Sequence, residues 1–356
     1  MDNDDYSNFF SGKNVFITGH TGFKGAWFAK ILALFGANVT GYALDNIGYK
    51  DMQKANDSCI CSVIGDIRDF ERLKKAFFEA RPEIVFHLAA QPIVRESYLK
   101  PKETYDVNVG GTVNILECIR ESDTVKSFLN VTTDKVYRNN EWLWGYREND
   151  ALDGYDPYSN SKSCSELVTA SFKRSFFNEA GVSVSTARAG NVIGGGDFAK
   201  DRIIPDCVRN VLASEKISIR SPFSTRPFQY VMEALSAYML IAKKQYEDIK
   251  YSDSYNVGPD ESDVISVGEL VKIFCECWGN SADFIDISGR QAGAVHEAGI
   301  LKLDTDKIRN ILGWKPKYGI NDAIRTTVNC YKKLLEADSN EEVSKIMEEK
   351  INEFFM

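Results

Sequence analysis

Two clusters in this chain have the residue types and spacing for chemistry. Tyr158-Ser-Asn-Ser-Lys162 sets a phenol and an ammonium four residues apart in the helix-like run YSNSKSCSELVTASF, so both share one helix face. A tyrosine titrates near pH ~10 in water. A neighbouring cation that lowers it by roughly 3 units, about 4 kcal/mol, turns it into a proton acceptor at neutral pH. The other use of this spacing is a structural i,i+4 pair. The second cluster is Thr-Gly-His-Thr-Gly-Phe-Lys-Gly, with Gly19, Gly22 and Gly25 directly after an apolar run. Glycines there allow a tight turn and close approach of backbone N–H groups to a pyrophosphate at a helix N-terminus. Asp45 follows Gly25 by 20 residues, where an acid can bond an adenosine ribose and repel a 2′-phosphate. The cofactor expected from this pattern is NAD.

Such groups need elements to hold them. NVFIT at 14–18 is β-branched and apolar, and AWFAKILALFG after the glycines is helix-compatible, so the order is strand, turn, helix. Strand candidates follow at 38–43, 60–64, 83–88, 125–131 and 182–187, with helix-like segments between most of them. This alternation predicts an α/β fold, a Rossmann-type doubly wound parallel sheet. Past about residue 188 the pattern loosens into Gly- and Pro-bearing loops, interrupted by a helix at 231–247 and a strand at 254–257. The nucleotide-binding domain is therefore read as 12–188 with 226–258 rejoining it. A smaller α/β C-terminal substrate lobe is read from 189–225 and 259–340, and a terminal surface helix from 341–356.

Composition narrows the partners. The chain has 356 residues, 44% hydrophobic and 26% charged, with a net charge of −8 and no basic run, so a nucleic-acid partner is not expected. No apolar run approaches a membrane span, and MDNDDYSNFF lacks the basic-then-apolar order of a signal peptide, which makes the cytoplasm the expected compartment. His20, His87 and His296 are scattered, and Cys59/Cys61 and Cys275/Cys277 lack zinc-knuckle spacing, so no metal is expected and the thiols are read as reduced.

The Gly-x-x-Gly-x-x-Gly spacing resembles the extended short-chain dehydrogenase/reductase family, which carries Tyr-x-x-x-Lys after its fifth strand. At the end of that strand stands Asn-Val-Thr-Thr-Asp-Lys-Val-Tyr, from Asn130 to Tyr137. Thr133-Asp134 is similar to the Thr-Asp-Glu of nucleotide-sugar 4,6-dehydratases, with Lys135 in place of the glutamate. That lysine, together with ITGHTGFKG, HLAAQPIVRESY, WLWGYRENDALDGYDPYSNSK, ARAGNVIGGGDFAKDRIIPD and RPFQYVMEAL, resembles the CDP-glucose 4,6-dehydratase subfamily.

The resemblance implies oxidation of a nucleotide-sugar at carbon 4 by Tyr158, Lys162 and Thr133, then elimination with Asp134 as acid and Lys135 at carbon 5. It implies cofactor contacts from Gly19, Thr21, Gly22, Phe23, Lys24, Gly25, Asp45, Asp66, Ile67, Leu88, Ala89 and Ala90, besides Tyr158 and Lys162. Arg226 is the leading diphosphate candidate, because guanidinium geometry suits bidentate phosphate contacts, with Arg202 and His296 behind it. Asn191, Gln91 and Arg95 complete the substrate candidates. A homodimer is expected through 101–121 and 158–178, with Val107, Val113, Leu116, Leu167 and Phe172 facing a partner. A 4-epimerase would share the fold, NAD, Tyr158 and Lys162 without needing the pair at 134 and 135. A non-catalytic dinucleotide sensor would need none of the Thr, Tyr and Lys set.

Overall fold

A strand such as NVFIT, apolar at nearly every position, is stable in water only when both its faces are covered. The computed structural model, which describes residues 3–45, 50–56, 59–279, 282–288 and 299–356, covers them. Seven strands form one sheet: β1 (Asn14–Thr18), β2 (Asn38–Ala43), β3 (Cys61–Ile64), β4 (Ile84–His87), β5 (Ser127–Val131), β6 (Ser183–Ala189) and β7 (Ser254–Val257). Their order is β7-β6-β5-β4-β1-β2-β3, and every neighbouring pair is parallel. The doubly wound sheet expected from the sequence is the observed one.

The longer helices are α1 (Asn3–Phe10), α2 (Phe23–Leu34), α3 (Phe70–Ala80), α4 (Gly111–Arg120), α5 (Pro157–Phe172), α6 (Ile203–Leu212), α7 (Val231–Glu247), α8 (Val267–Trp278), α9 (Ile320–Glu336) and α10 (Asn340–Phe355). Because side chains alternate along a strand, Val15 and Ile17 pack with Trp27 and Phe28 of α2 and Leu235 and Tyr238 of α7. Phe16 packs on the opposite face with Leu73 and Phe77 of α3 and Ile115 and Leu116 of α4. The direction of winding reverses between β1 and β4, which opens a crevice at the carboxyl ends of those strands.

Beyond β6 the chain makes short two-stranded pairs, Ile217–Ile219 with Phe284–Asp286 and Thr225–Arg226 with Ile265–Ser266. The charge-alternating C-terminal segment forms α10, with one face on the core and the other in water. Val343, Met347 and Ile351 of α10 are buried, and Glu348 pairs with the buried Lys30 of α2 at 2.7 Å. A helix with an apolar stripe reaches water only on its other side. Among the described residues no helix is long and apolar enough to cross a membrane.

Candidate active site

The glycine loop is built by close approach. Gly19 has φ +82°, and a Cβ there would stand 2.8 Å from the Ala89 backbone N; one on Gly25 would stand 2.0 Å from the Gly19 carbonyl O. Both contacts are with backbone, so α2 seats against the end of β1 only with glycine at these places. Gly22 caps α2 without a side-chain hydrogen bond, and a Cβ there would meet nothing nearer than 3.4 Å. The first-turn N–H groups of α2 thus lack a side-chain cap and point, with the helix dipole, at the crevice. That arrangement fits a pyrophosphate.

The other cofactor candidates line the same strand ends. Thr21 donates from Oγ1 to the Leu44 carbonyl at 2.9 Å, beside the exposed Asp45. Phe23 and Ile67 are buried, and the Ile67 carbonyl accepts from Asn114 at 2.9 Å. The Asp66 carboxylate takes the Arg68 backbone N–H at 2.9 Å and its guanidinium as well, so it is already engaged in its own turn. Leu88 and Ala89 donate their N–H groups to the Thr18 carbonyl at 3.1 Å and the Thr18 hydroxyl at 3.2 Å, and Ala90 follows, half-buried. Behind them His87 lies between the Thr18 hydroxyl at 2.7 Å and Thr112 at 3.3 Å. Burial pushes it down to about 3, which keeps it neutral.

Across the crevice, Asp156 accepts the Ser159 N–H at 3.0 Å and Pro157 opens α5, a capped start that places Tyr158 in the first turn and Lys162 one turn later. Lys162 donates from Nζ to the Val131 carbonyl at 3.0 Å. At the end of β5 the Thr133 hydroxyl donates to Asp134 Oδ1 at 2.9 Å, and both side chains lie near enough to the Tyr158 phenol to act on its titration. Asp134 is 1% exposed and its Oδ2 has no hydrogen-bond partner, while Lys135 is half-buried. The structure therefore brings Thr133, Asp134, Tyr158 and Lys162 together.

The electrostatics differ from the simple expectation of a lowered tyrosine. Burial pushes Tyr158 up to about 12, against a lowering contribution from Thr133, and Asp134 adds to the rise. Lys162 is itself pulled down to about 8 by burial, with Glu166 acting the other way. Lys24 falls to about 7, first through burial and then through Arg202 and Lys162. A desolvated pocket disfavours every charge it holds until a counter-charge enters.

The substrate candidates divide. Arg202 pairs with Asp197 at 2.8 Å and its charge is felt at Tyr158. Arg226 is buried, with a guanidinium N–H donated to the Thr225 carbonyl at 2.9 Å. Asn191 is half-buried just past β6, and its carbonyl accepts the Gln229 N–H at 2.9 Å. Arg95 pairs with Asp201 at 3.0 Å. Gln91 is a different case. Its amide donates to Thr104 at 2.9 Å and to the Ile93 carbonyl at 3.2 Å and accepts the Ile93 N–H at 2.6 Å, so it braces its own loop. His296 lies outside the described residues.

Sequence reasoning missed a buried ion pair behind the site. Arg188 of β6 donates from Nε and Nη2 to Glu166 of α5 at 3.0 and 2.9 Å. Two signals pointed to it: a charged residue inside the otherwise uncharged strand SVSTARA, and an acid four residues after Lys162.

The model of the GDP-mannose 4,6 dehydratase family matches residues 16–327. The chain is 47% identical over 334 residues to the CDP-glucose 4,6-dehydratase of Salmonella typhimurium, covering 91% of this chain and 92% of that protein. In structure it is similar to a Thermotoga maritima UDP-glucose 4-epimerase solved with UDP-glucose, with a TM-score of 0.79, 24% identity and coverage of 91% of this chain and 100% of that one. It is also similar to a Bacillus anthracis dTDP-glucose 4,6-dehydratase solved with NAD, with a TM-score of 0.76, 20% identity and coverage of 94% and 100%. At those identities the two structures speak for the fold.

Proposed function

Because the chain belongs to the GDP-mannose 4,6-dehydratase family, we propose that it is an NAD-dependent nucleotide-sugar 4,6-dehydratase that converts CDP-D-glucose to CDP-4-dehydro-6-deoxy-D-glucose and water. The observation that carries the reading is Asp134, a buried carboxyl group with one oxygen unpartnered, hydrogen-bonded by Thr133 beside the Tyr158–Lys162 pair. A 4-epimerase has no use for an acid there. Cytidine as the base rests on the Salmonella relative.

The uncapped start of α2 and the side-chain-free Gly19, Gly22 and Gly25 would hold the cofactor pyrophosphate, with Thr21, Phe23, Lys24, Ile67 and Leu88 to Ala90 around it. Asp45 would bond the adenosine ribose and Asp66 would lie at the adenine side. When bound, NAD would supply a reversible hydride acceptor for carbons 4 and 6 of the sugar and a cationic ring that favours a phenolate. Tyr158, as the phenolate that the Lys162 ammonium favours, would then accept the proton of the 4-hydroxyl, with Thr133 beside it. The resulting ketone acidifies carbon 5. Lys135 is assigned the carbon 5 proton, and Asp134 gives its proton to the 6-hydroxyl, which leaves as water. A proton returns to carbon 5 as hydride reaches carbon 6, so the sugar loses one water with no net redox change. Arg226, Arg202 and Asn191 are assigned to the nucleotide diphosphate and sugar.

The domain reading, 12–188 with 226–258 against 189–225 with 259–340, is part of this proposal, as is a homodimer. Leu116 is buried in the chain's own core, which removes it from the partner face, whereas Leu167 and Phe176 are 56% and 44% exposed and supply apolar surface there. The deciding experiment incubates purified protein and NAD with CDP-, dTDP-, UDP- and GDP-linked glucose and follows product mass. Loss of one water, fastest with CDP-glucose, is expected. An isomeric sugar of unchanged mass would mean an epimerase, and faster turnover of another nucleotide would overturn the cytidine assignment.

A further inference from the structure

The Glu166–Arg188 pair has no part in the reaction just described, yet it reaches the reacting tripeptide from both sides. Glu166 accepts the Thr132 hydroxyl on Oε1 at 2.5 Å and the Thr186 hydroxyl on Oε2 at 2.7 Å, besides its two bonds from Arg188. Arg188 donates its remaining Nη1 to the Tyr137 hydroxyl and to the Glu148 carbonyl, both at 2.9 Å, and the Tyr137 hydroxyl donates to Asn256 Oδ1 at 2.6 Å. Thr132 and Tyr137 flank Thr133-Asp134-Lys135, so the tripeptide is suspended between two hydrogen bonds to one ion pair.

The geometry of the backbone turns this into a statement about aim. Just past β5, Thr132 donates its N–H to the Ala187 carbonyl of β6 at 2.9 Å, and Thr133 is extended at φ −150°, ψ 158°. Successive side chains of an extended segment face opposite ways. With Thr132 fixed on Glu166, Thr133 presents its hydroxyl to Asp134 Oδ1 at 2.9 Å, beside Tyr158. The pair is buried, with 4% and 2% of the side chains exposed, and a carboxylate with all its acceptor directions filled has one stable orientation.

We propose that Glu166 and Arg188 are positioning residues for the dehydratase reaction: they clamp Thr132 and Tyr137 so that Thr133 and Asp134 stand against Tyr158, and the Glu166 charge supports the Lys162 ammonium one turn earlier on α5. The inference rests on the roles assigned above to Thr133 and Asp134. The charges facing Lys162 are Glu166 from its own helix, Lys24 from α2 and, from β4, His87, which is neutral; Glu166 favours the ammonium and Lys24 opposes it.

Thr132→Val removes one clamp and leaves the ion pair whole, Tyr137→Phe removes the other, and Thr132→Ser keeps the hydroxyl. The expected result is a kcat on the order of 100-fold lower for Thr132→Val and Tyr137→Phe, with KM and NAD affinity unchanged, and near-wild-type kcat for Thr132→Ser. Glu166→Gln should also lower the titration of Lys162, followed with isotope-labelled lysine, by about one unit and move the alkaline limb of kcat the same way. Folded Thr132→Val and Tyr137→Phe proteins with kcat within about twofold of wild type would overturn the proposal. So would a folded Glu166→Gln protein in which Lys162 titrates as before. Should Glu166→Gln fail to fold, the two clamp variants decide. A wild-type protein inactive on every nucleotide-glucose would count against the dehydratase reading instead, and the lysine titration would still report on the pair.

Discussion

Asp134 receives the Thr133 hydroxyl on Oδ1 at 2.9 Å, while Oδ2 of the same buried carboxylate has no hydrogen-bond partner. An acceptor taken out of water and left open is costly unless something arrives to use it. In the proposed reaction the arriving group is the sugar's 6-hydroxyl, and this sets the first expectation. Asp134→Asn should slow product formation on the order of 100-fold while carbon 4 oxidation persists, so bound NADH builds up after CDP-glucose is mixed in. Tyr158→Phe should show neither NADH nor product. Equal loss of both signals in Asp134→Asn would mean that the carboxylate acts before elimination.

Lys135 is the reacting residue whose role is most open to test, since an ammonium must lose its proton to act as a base and Asp134 stands next to it. Lys135→Ala should reduce solvent-deuterium incorporation at carbon 5, read by mass spectrometry of the product. Incorporation at the wild-type rate would assign the proton transfer to another group and leave Lys135 as a stabiliser of the enolate.

At the cofactor end, a methyl group on Gly25 would stand 2.0 Å from the Gly19 carbonyl. Gly25→Ala should force α2 away from β1, costing about 1–3 kcal/mol of stability and removing measurable NAD binding by calorimetry. Unchanged NAD affinity in that variant would detach the glycine loop from the cofactor.

His87 predicts a pH dependence of stability. Folded, it stays neutral down to about pH 3, against an ordinary value of 6.5. Between those values the unfolded chain binds the extra proton, so stability falls as pH drops through the window, by on the order of 4 kcal/mol from this group. Urea unfolding of wild type and His87→Gln across that range should give a flatter curve for the variant. Parallel curves would show that His87 is not what acid titrates.

How much of this was legible in the sequence depends on the range of the forces involved. NVFIT and the glycine triplet act locally, through strand apolarity and backbone freedom, so the strand-turn-helix opening and the parallel sheet could be read directly and match the structure. The Tyr-x-x-x-Lys pair is legible for the same reason, since four residues on a helix is one face. Other features needed the folded chain. The amide of Gln91, a substrate candidate, is bonded to Thr104 and Ile93, and the face that α10 turns inward carries Val343, Met347 and Ile351. The rise of Tyr158 to about 12 comes from burial by elements distant in sequence. Glu166 and Arg188, 22 residues apart, meet only because β6 lies beside β5 under α5, and their bonds to Thr132 and Tyr137 exist nowhere but in that packing. Sequence by itself determined which chemical groups the chain could offer and the elements that carry them. Tertiary structure decided which groups remain unpaired, because desolvation and hydrogen-bond competition depend on neighbours that only folding supplies.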